Sequence, residues 1–345
     1  MSAPALIGLS PDHLRRRFKE VGVPGYRADQ VAEWVYQRGV LEPEAMTNLP
    51  QELRGQLLAD WSFRALEPVR VAHSTDGTVK AVLRASDGVL VEAVLIPEEE
   101  RTTLCVSTQV GCPLACSFCA TGALGFTRNL DAAEIIDQVL RMRELLPADR
   151  TITNVVFMGM GEPLLNLPNL IAAVETLLHP KAFAMAPRRV TVSTAGVVPK
   201  IGELLEAVPV NLAVSLHAAT DAVRDVLVPL NRRFPLAELM QTLRELPRIS
   251  RRHPVFFEYT LIDGVNDSRE DAREVGRLLR GLPSKLNLIP MNAHSDSGYQ
   301  PPPPERIDAF MGELVRGGVT TTLRRSRGAD IDAACGQLAV REAAG

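Results

Sequence analysis

The chain has 345 residues, 46% of them hydrophobic, so it is long enough for one large domain with a full core and a smaller second domain. No apolar run approaches the roughly 20 residues that a membrane-spanning helix needs, and no secretion leader opens the chain. These features exclude an integral membrane protein and predict a cytoplasmic one. The formal net charge of −3 does not by itself indicate a nucleic-acid partner, although net charge conceals local patches.

The first 98 residues divide into a helical part and a strand-rich part. Ser10 and Pro11 are typical of a helix N-cap followed by a first-turn proline, and helical character over residues 10–62 predicts a helical domain of residues 1–65. Residues 66–98 have strand character, and two Asp-Gly dipeptides within them are typical of hairpin turns. We therefore expect a small helical accessory domain followed by a β-hairpin linker region.

From residue 99 to residue 328, short apolar segments of strand character alternate with amphipathic segments of helix character. Such alternation predicts parallel strands joined by helices, and the number of repeats favours a partial or complete barrel over an open sheet. The predicted strands cover residues 103–106, 154–158, 189–193, 211–216, 255–261, 285–290 and 320–323. Polar or glycine-rich segments follow most of these strands. In a parallel barrel that edge carries the chemistry.

Three cysteines, Cys112, Cys116 and Cys119, have the spacing C-x3-C-x2-C. Three thiolates on one loop can hold three irons of a [4Fe-4S] cluster and leave the fourth iron open to bind and reduce a small molecule. Disulfides are not expected in a cytosolic protein. A structural zinc site remains the alternative, although it normally needs a fourth ligand, which here would be distant in sequence.

The two remaining cysteines, Cys105 and Cys335, stand alone in the sequence. A lone cysteine is often a small buried hydrophobe, so that interpretation stays open beside a catalytic one. Cys335 lies in a segment flanked by glycines, which favours an exposed thiol. All five cysteines of the chain are compatible with a single site.

Basic residues form five local clusters along the chain. Any one cluster is typical of a solvated face, but five of them on a slightly acidic protein favour a basic face that binds nucleic acid. The clusters are Arg15–Arg17 with Lys19, Arg188–Arg189, Arg232–Arg233, Arg251–Arg252, and Arg324–Arg325 with Arg327.

Taken together, these motifs resemble the RlmN/Cfr group of radical S-adenosylmethionine (SAM) RNA adenine methyltransferases. The resemblance runs from about residue 10 to residue 338. Its segments are residues 104–107, 109–112, 125–130, 157–163, 190–194, 215–218 and 332–336. It implies an α/β fold with a partial (β/α)6-type radical SAM barrel over residues 99–328. The N-terminal helical domain and β-hairpin extension would precede the barrel, and a C-terminal segment, residues 329–345, would carry Cys335.

The resemblance also implies roles for individual residues. Cys112, Cys116 and Cys119 would hold the cluster, Cys335 would carry the methyl group, and Cys105 would resolve the product. Glu92 would accept a proton, although the strand pattern alone predicts that it is a surface residue. The SAM-binding residues would be Gly161, Glu162, Ser193, Ser215, Leu216, His217 and Asn292.

The implied reaction is methylation of C2 of adenosine in 23S ribosomal RNA and in some transfer RNAs, through a methyl-cysteine intermediate and a transient disulfide. The alternative within the group is a Cfr-type methyltransferase that acts on C8 of adenosine in 23S ribosomal RNA. The implied partners are 23S rRNA, tRNA and an external electron donor of the flavodoxin or ferredoxin type. A monomer without membrane contact is expected.

Two other classes of protein stay open on the sequence. One is a non-catalytic iron–sulfur protein that binds RNA or senses redox state, which leaves the Gly-Glu and Ser-x-His segments without a role. The other is a zinc-binding structural module built on the same cysteines.

Overall fold

The computed structural model of the protein describes residues 3–294 and 297–340. The ends of the predicted helical domain and of the predicted C-terminal segment, residues 1–2 and 341–345, lie outside the described residues. Within those described, no helix combines the length and the apolar character needed to cross a membrane.

The strands fall where the alternating sequence pattern predicts them. They are β1 (Leu66–His73), β2 (Val79–Ala85), β3 (Leu90–Pro97), β4 (Thr102–Cys105), β5 (Gln109–Gly111), β6 (Phe126–Asn129), β7 (Asn154–Phe157), β8 (Val190–Thr194), β9 (Asn211–Ser215), β10 (Val255–Leu261), β11 (Ser284–Pro290) and β12 (Thr321–Leu323). The sequence did not predict β5 and β6, which form a short antiparallel pair around the cysteine loop.

Ten strands form one sheet in the order β1-β2-β3-β4-β7-β8-β9-β10-β11-β12. From β4 to β12 every neighbouring pair is parallel. Among the described residues β12 does not pair with β1 or β4, so the barrel is open. This confirms the predicted partial barrel. The carboxyl ends of its parallel strands share one edge, where catalytic side chains are expected.

Helices connect the parallel strands and cover the outer face of the sheet. The helices are α1 (Pro11–Glu20), α2 (Gly25–Ala32), α3 (Gln51–Asp60), α4 (Ala120–Ala123), α5 (Ala132–Glu144), α6 (Leu167–Leu178), α7 (Val198–Ala207), α8 (Asp221–Leu227), α9 (Leu236–Glu245), α10 (Arg269–Leu279) and α11 (Pro304–Arg316). Helix α5 begins with a capping box, because Asp131 accepts from the Glu134 N–H at 2.8 Å and Glu134 accepts from the Asp131 N–H at 2.9 Å. This box fixes the start of the helix that follows the cysteine loop.

The N-terminal helices α1–α3 pack onto the barrel helices through a continuous hydrophobic core. Gly8, with a φ of +84°, lies so close to α5 that a Cβ atom there would be 2.5 Å from the backbone nitrogen of Ala133. Ser10 occupies the predicted N-cap position. Its hydroxyl bonds to the Nδ1 atom of His13 at 2.8 Å and not to a backbone N–H.

Strands β1–β3 extend the barrel sheet rather than standing apart from it, because β3 pairs antiparallel with β4. The junction with the helical region is fixed by Asp137 of α5, whose carboxylate accepts from the N–H groups of Ala65 and Leu66, each at 2.7 Å. The predicted turns are present, since Gly77 and Gly88 have φ values of +86° and +87°, which favour glycine. The hairpin strands therefore have a fixed register relative to β4.

Candidate active site

The cysteine loop leaves β5 at the carboxyl edge of the barrel and ends in α4. At its base Gly111 has a φ of +73°, and a Cβ atom there would lie 1.9 Å from the carbonyl oxygen of Gly125. The Cys112 N–H donates to that same carbonyl at 2.7 Å. The β5–β6 pair therefore pinches the loop, and this close approach requires glycine.

The three loop thiols, Cys112, Cys116 and Cys119, line one cavity above the barrel. Burial raises the pKa of all three thiols, and that of Cys112 to about 12. A bound cation would reverse this effect, because a coordinated thiol is held deprotonated. Among the described residues no group of three or more His, Cys, Asp or Glu side chains converges on a single metal ion.

The other wall of this cavity is formed by the ends of successive strands. Gly161, Glu162, Ser193, Ser215 and His217 all line it, as their positions after β7, β8 and β9 predict. The structure thus brings five of the seven predicted SAM-binding residues to the same cavity as the cysteine loop.

Glu162 links two strand ends. Its Oε2 atom accepts from the Ala195 N–H after β8 at 2.8 Å, and its Oε1 atom accepts from the Leu164 N–H at 3.0 Å. Burial raises the pKa of this carboxyl to about 7 despite the two donors. A positively charged ligand amine beside it would favour the ionised form.

Gln109, which the sequence analysis did not assign to the site, holds the Gly161–Glu162 turn. Its Oε1 atom accepts from the Glu162 N–H at 2.8 Å, and its Nε2 atom donates to Asn129 at 2.8 Å. A Cβ atom on Gly161, whose φ is +102°, would lie 2.5 Å from the Gln109 Cβ atom. Gln109 lies in one of the segments that carry the family resemblance, and this was the sequence signal that could have assigned it to the site.

His217 is buried in the cavity wall with a φ of +58°. Its Nδ1 atom accepts from the Thr260 N–H at 3.0 Å, and its ring meets Phe118 edge-on at 4.6 Å between centroids. Burial lowers its pKa to about 3, so the ring is neutral and its Nε2 atom carries the proton. The neighbouring Leu216 side chain packs in the hydrophobic core, away from the cavity lining.

A second cavity adjoins the first and is lined by Cys105, Cys335 and Asn292. The two cavities share Cys119 and Cys335 in their walls, so all five thiols surround one continuous region. Cys105 is buried, Cys335 is exposed as predicted, and both are free thiols. Burial, reinforced by the nearby Cys335, raises the pKa of Cys105 to about 12, which the charge of Arg324 partly offsets.

Asn292 contacts the segment that carries Cys335. Its Nδ2 atom donates to the Cys335 carbonyl at 2.9 Å, and its Oδ1 atom accepts from the Ser326 hydroxyl. The structure therefore places this predicted SAM-binding residue against the predicted methyl carrier, on the wall of the second cavity.

Glu92 lies on β3 and is fully buried, so the expectation of a surface residue was wrong. The strand pattern could not show this, because the face of β3 that carries Glu92 is covered by residues far along the chain. The carboxylate lies 3.1 Å from Lys80 Nζ and faces the backbone of Ala339.

Arg224 is a buried residue of α8 that the sequence analysis missed. Its guanidinium, 1% exposed, donates to the carbonyls of Ala195 and Ser215, at the ends of β8 and β9, and to that of Leu216. It also donates to Asn231 at 2.8 Å. One cation therefore joins two strand ends beneath the cysteine loop, and no local sequence signal distinguishes it from a surface arginine.

The residues present fit an iron–sulfur cluster and SAM. Three thiols come from one pinched loop, and the same cavity presents a carboxyl with a raised pKa that suits an ammonium group. At Gly159, which lines the same cavity, the chain packs closely against the segment after β4. A Cβ atom there would lie 2.7 Å from the Ser107 hydroxyl.

Two family models match this chain. Residues 106–275 match the Radical SAM superfamily, and residues 5–61 match the ribosomal RNA large subunit methyltransferase N-terminal domain. The dual-specificity RNA methyltransferase RlmN of Marinobacter nauticus is 48% identical over 341 residues, covering 97% of this chain and 92% of that protein. The RlmN of Geobacter sulfurreducens is 48% identical over 331 residues, with 96% and 91% covered.

A solved structure has the same fold over nearly the whole chain. The crystal structure of a radical SAM methyltransferase from Sphaerobacter thermophilus superposes with a TM-score of 0.90 at 46% identity. The match covers 97% of this chain and 99% of that one.

Proposed function

Because the chain belongs to the RlmN family of radical SAM RNA methyltransferases, we propose that it methylates C2 of adenosine in 23S ribosomal RNA and in some transfer RNAs. The observation that carries the proposal is the pair of cavities sharing Cys119 and Cys335, with Cys105 in the second wall. Cluster chemistry in one cavity thus adjoins a pair of thiols in the other.

In this proposal Cys112, Cys116 and Cys119 hold a [4Fe-4S] cluster. Gly161, Glu162, Ser193, Ser215 and His217 bind SAM, and the Glu162 carboxylate pairs with its amino group. When bound, the cluster and SAM supply a methyl group and the 5′-deoxyadenosyl radical needed to attack an electron-poor carbon. His217 contributes a neutral ring, because burial keeps its pKa near 3.

The thiol of Cys335 loses its proton as its sulfur accepts the methyl group. One hydrogen atom of that methyl would pass to the 5′-deoxyadenosyl radical, giving 5′-deoxyadenosine. The remaining methylene carbon would add to the base, which leaves a methylene bridge from Cys335 Sγ to C2. The adduct would return one electron to the cluster, and Glu92 takes its C2 proton. The Cys105 thiolate then attacks Cys335 Sγ. The sulfur–carbon bond breaks, its electron pair goes to the methylene carbon, and that carbon takes a proton to become the product methyl. The resulting disulfide needs two electrons from an external reductant.

The remaining parts of the proposal concern partners. The one-electron donor to the cluster is of the flavodoxin or ferredoxin type, the helical region is an RNA-binding accessory, and the enzyme acts as a monomer. The five free thiols favour a reducing compartment, which for a bacterial RNA-modifying enzyme is the cytoplasm.

The test is an anaerobic assay on ribosomal RNA with reductant and SAM, followed by mass spectrometry of the released nucleosides. The proposal expects 2-methyladenosine together with 5′-deoxyadenosine. Finding 8-methyladenosine would instead assign the Cfr-type reaction. Absence of 5′-deoxyadenosine from iron-loaded protein would favour a non-catalytic iron–sulfur protein, and zinc without iron in anaerobic protein would favour a structural module.

A further inference from the structure

The C-terminal segment that carries Cys335, residues 328–340, is fixed to the hairpin strands by polar contacts. The Asp330 carboxylate accepts from the Ser74 hydroxyl at 2.6 Å and from the Thr75 N–H at 3.1 Å. A third contact comes from Lys80, whose Nζ atom donates to the Asp332 carbonyl at 3.0 Å. Lys80 thus contacts the segment three residues before the predicted methyl carrier.

The sheet register places Lys80 beside the predicted catalytic residues. Lys80 of β2 lies opposite Val94 of β3, and Val94 lies opposite Cys105 of β4. Directly opposite residues point to the same face of a sheet, so the Lys80 and Cys105 side chains share one face. Glu92, two residues before Val94, points to that face as well. Its Oε1 atom is 3.1 Å from Lys80 Nζ.

Both members of this ion pair are removed from solvent. The Lys80 side chain is 8% exposed and that of Glu92 is 0% exposed. Two buried charges persist together only when each compensates the other. Lys80 therefore couples Glu92, on the hairpin, to the backbone of the Cys335 segment.

The charged side chains that act on Glu92 come from β1 and β2. Burial raises the pKa of Glu92, while Lys80 on β2 and, more weakly, Arg70 on β1 oppose the rise. The C-terminal segment faces the carboxylate with the backbone of Ala339. A proton acceptor must be ionised at working pH, and here the adjacent ammonium favours that form.

We propose that Lys80 is a positioning residue that keeps Glu92 ionised and at the same time holds the Cys335 segment over the second cavity. The part concerning Glu92 rests on the proposed function, because it assumes that Glu92 accepts the C2 proton. The part concerning the segment rests on the contacts alone. No step of the reaction uses Lys80 as a proton donor or ligand.

The test compares Lys80→Met and Lys80→Arg with the wild-type chain. For Lys80→Met we expect the acid limb of the pH profile for single-turnover product release to move to higher pH by about 1 unit or more. Without Lys80, mainly the weaker charge of Arg70 opposes the rise in the pKa of Glu92 that burial causes. Lys80→Arg keeps the charge and should return the limb to within about 0.3 pH units of wild type. The control is Arg84→Met, on the same strand as Lys80. It removes an exposed ion pair with Glu67 of β1 and should leave the profile unchanged.

A second readout needs no methyl transfer. Hydrogen–deuterium exchange on the isolated full-length chain should show residues 332–339 exchanging roughly tenfold faster in Lys80→Met, and at the wild-type rate in Arg84→Met. An unmoved acid limb, or unchanged exchange in Lys80→Met, would overturn the corresponding part of the proposal. If the wild-type enzyme itself releases no 2-methyladenosine, the proposed function fails. The exchange measurement still shows whether Lys80 holds the Cys335 segment in place.

Discussion

The Glu162 carboxyl shows how burial prepares one side chain for a charged ligand. It is almost fully buried, and its two backbone donors do not cancel the cost of burying a negative charge, so its pKa is raised to about 7. A ligand ammonium would supply the missing positive charge. Binding of SAM should therefore be linked to ionisation of this group.

We predict that the affinity of the cluster-loaded enzyme for SAM falls as the pH drops below about 7, by up to tenfold per pH unit. The sign follows from the protonation state, since a protonated carboxyl has no charge to pair with the ammonium. Isothermal titration calorimetry in buffers of different ionisation enthalpy should show proton release on binding near pH 6. Glu162→Gln should bind SAM weakly and without proton release, and a wild-type affinity independent of pH would contradict the prediction.

Cys105 and Cys335 differ in solvent exposure, and this difference fits their two proposed roles. The exposed thiol is accessible to a large substrate, whereas the buried thiol is reached only by a group already in the second cavity.

We predict that Cys105→Ala forms a covalent protein–RNA adduct and stops within a single turnover, because no thiol is left to attack Cys335 Sγ. Cys335→Ala should form no adduct, since the proposed methyl carrier is missing. Denaturing gel electrophoresis and mass spectrometry of the cross-linked peptide would detect the adduct. Normal turnover by Cys105→Ala would show that the resolving role is wrong.

The ends of β8 and β9 are joined by α8 through Arg224. Its guanidinium donates to three backbone carbonyls, and Asn231, which it also contacts, donates in turn to Asp221 and Asp225. These donors satisfy buried carbonyls that the sheet leaves unpaired where its strands end. The cavity wall that carries Ser193 and Ser215 therefore depends on one side chain of a neighbouring helix.

We predict that Arg224→Met destabilises the protein by about 3–5 kcal/mol, because several buried acceptors lose their donor at once. Denaturant titration followed by circular dichroism would measure the change. The control is Arg232→Met. Arg232 follows α8 and is exposed, so its replacement should change stability by less than about 0.5 kcal/mol. A similar small effect for Arg224→Met would show that the strand ends are held by other contacts.

The alternation of strands and helices was predictable because each buried parallel strand is a short apolar run between amphipathic segments. The cysteine spacing and the strand-end positions of Glu162 and His217 likewise follow from local order in the chain. Burial of Glu92 and Arg224 was not predictable, since it depends on segments about 250 and 30 residues away, respectively. The β5–β6 pair was missed because strands of three or four residues carry too little periodicity.

Two of the five basic clusters lie at opposite edges of the barrel. Arg232 and Arg233 follow Val228, which lines the first cavity, and the Leu227 carbonyl accepts from the Ser117 N–H of the cysteine loop. This pair therefore lies at the carboxyl edge beside the site. Arg251 and Arg252 precede β10 and lie at the amino edge. Both pairs are exposed, so they differ chiefly in position.

Of these two pairs, we predict that only Arg232 and Arg233 contribute to RNA binding, because the target base must reach the cavities from the carboxyl edge. The double variant Arg232→Glu/Arg233→Glu should bind ribosomal RNA about 10-fold to 100-fold more weakly. The slope of log affinity against log salt should become shallower by about 1.5, as expected for two lost phosphate contacts.

The matched control is Arg251→Glu/Arg252→Glu, which makes the same change in charge at the opposite edge. It should bind RNA almost as the wild type does, because beyond about 10 Å the charges are screened at 0.1 M salt. Filter binding across a salt series would measure both variants, and SAM affinity should be unchanged in each, since none of the four arginines lines the cavity. Equal losses for the two pairs would show that RNA affinity responds to net charge rather than to a surface beside the site, because position is what distinguishes the variants.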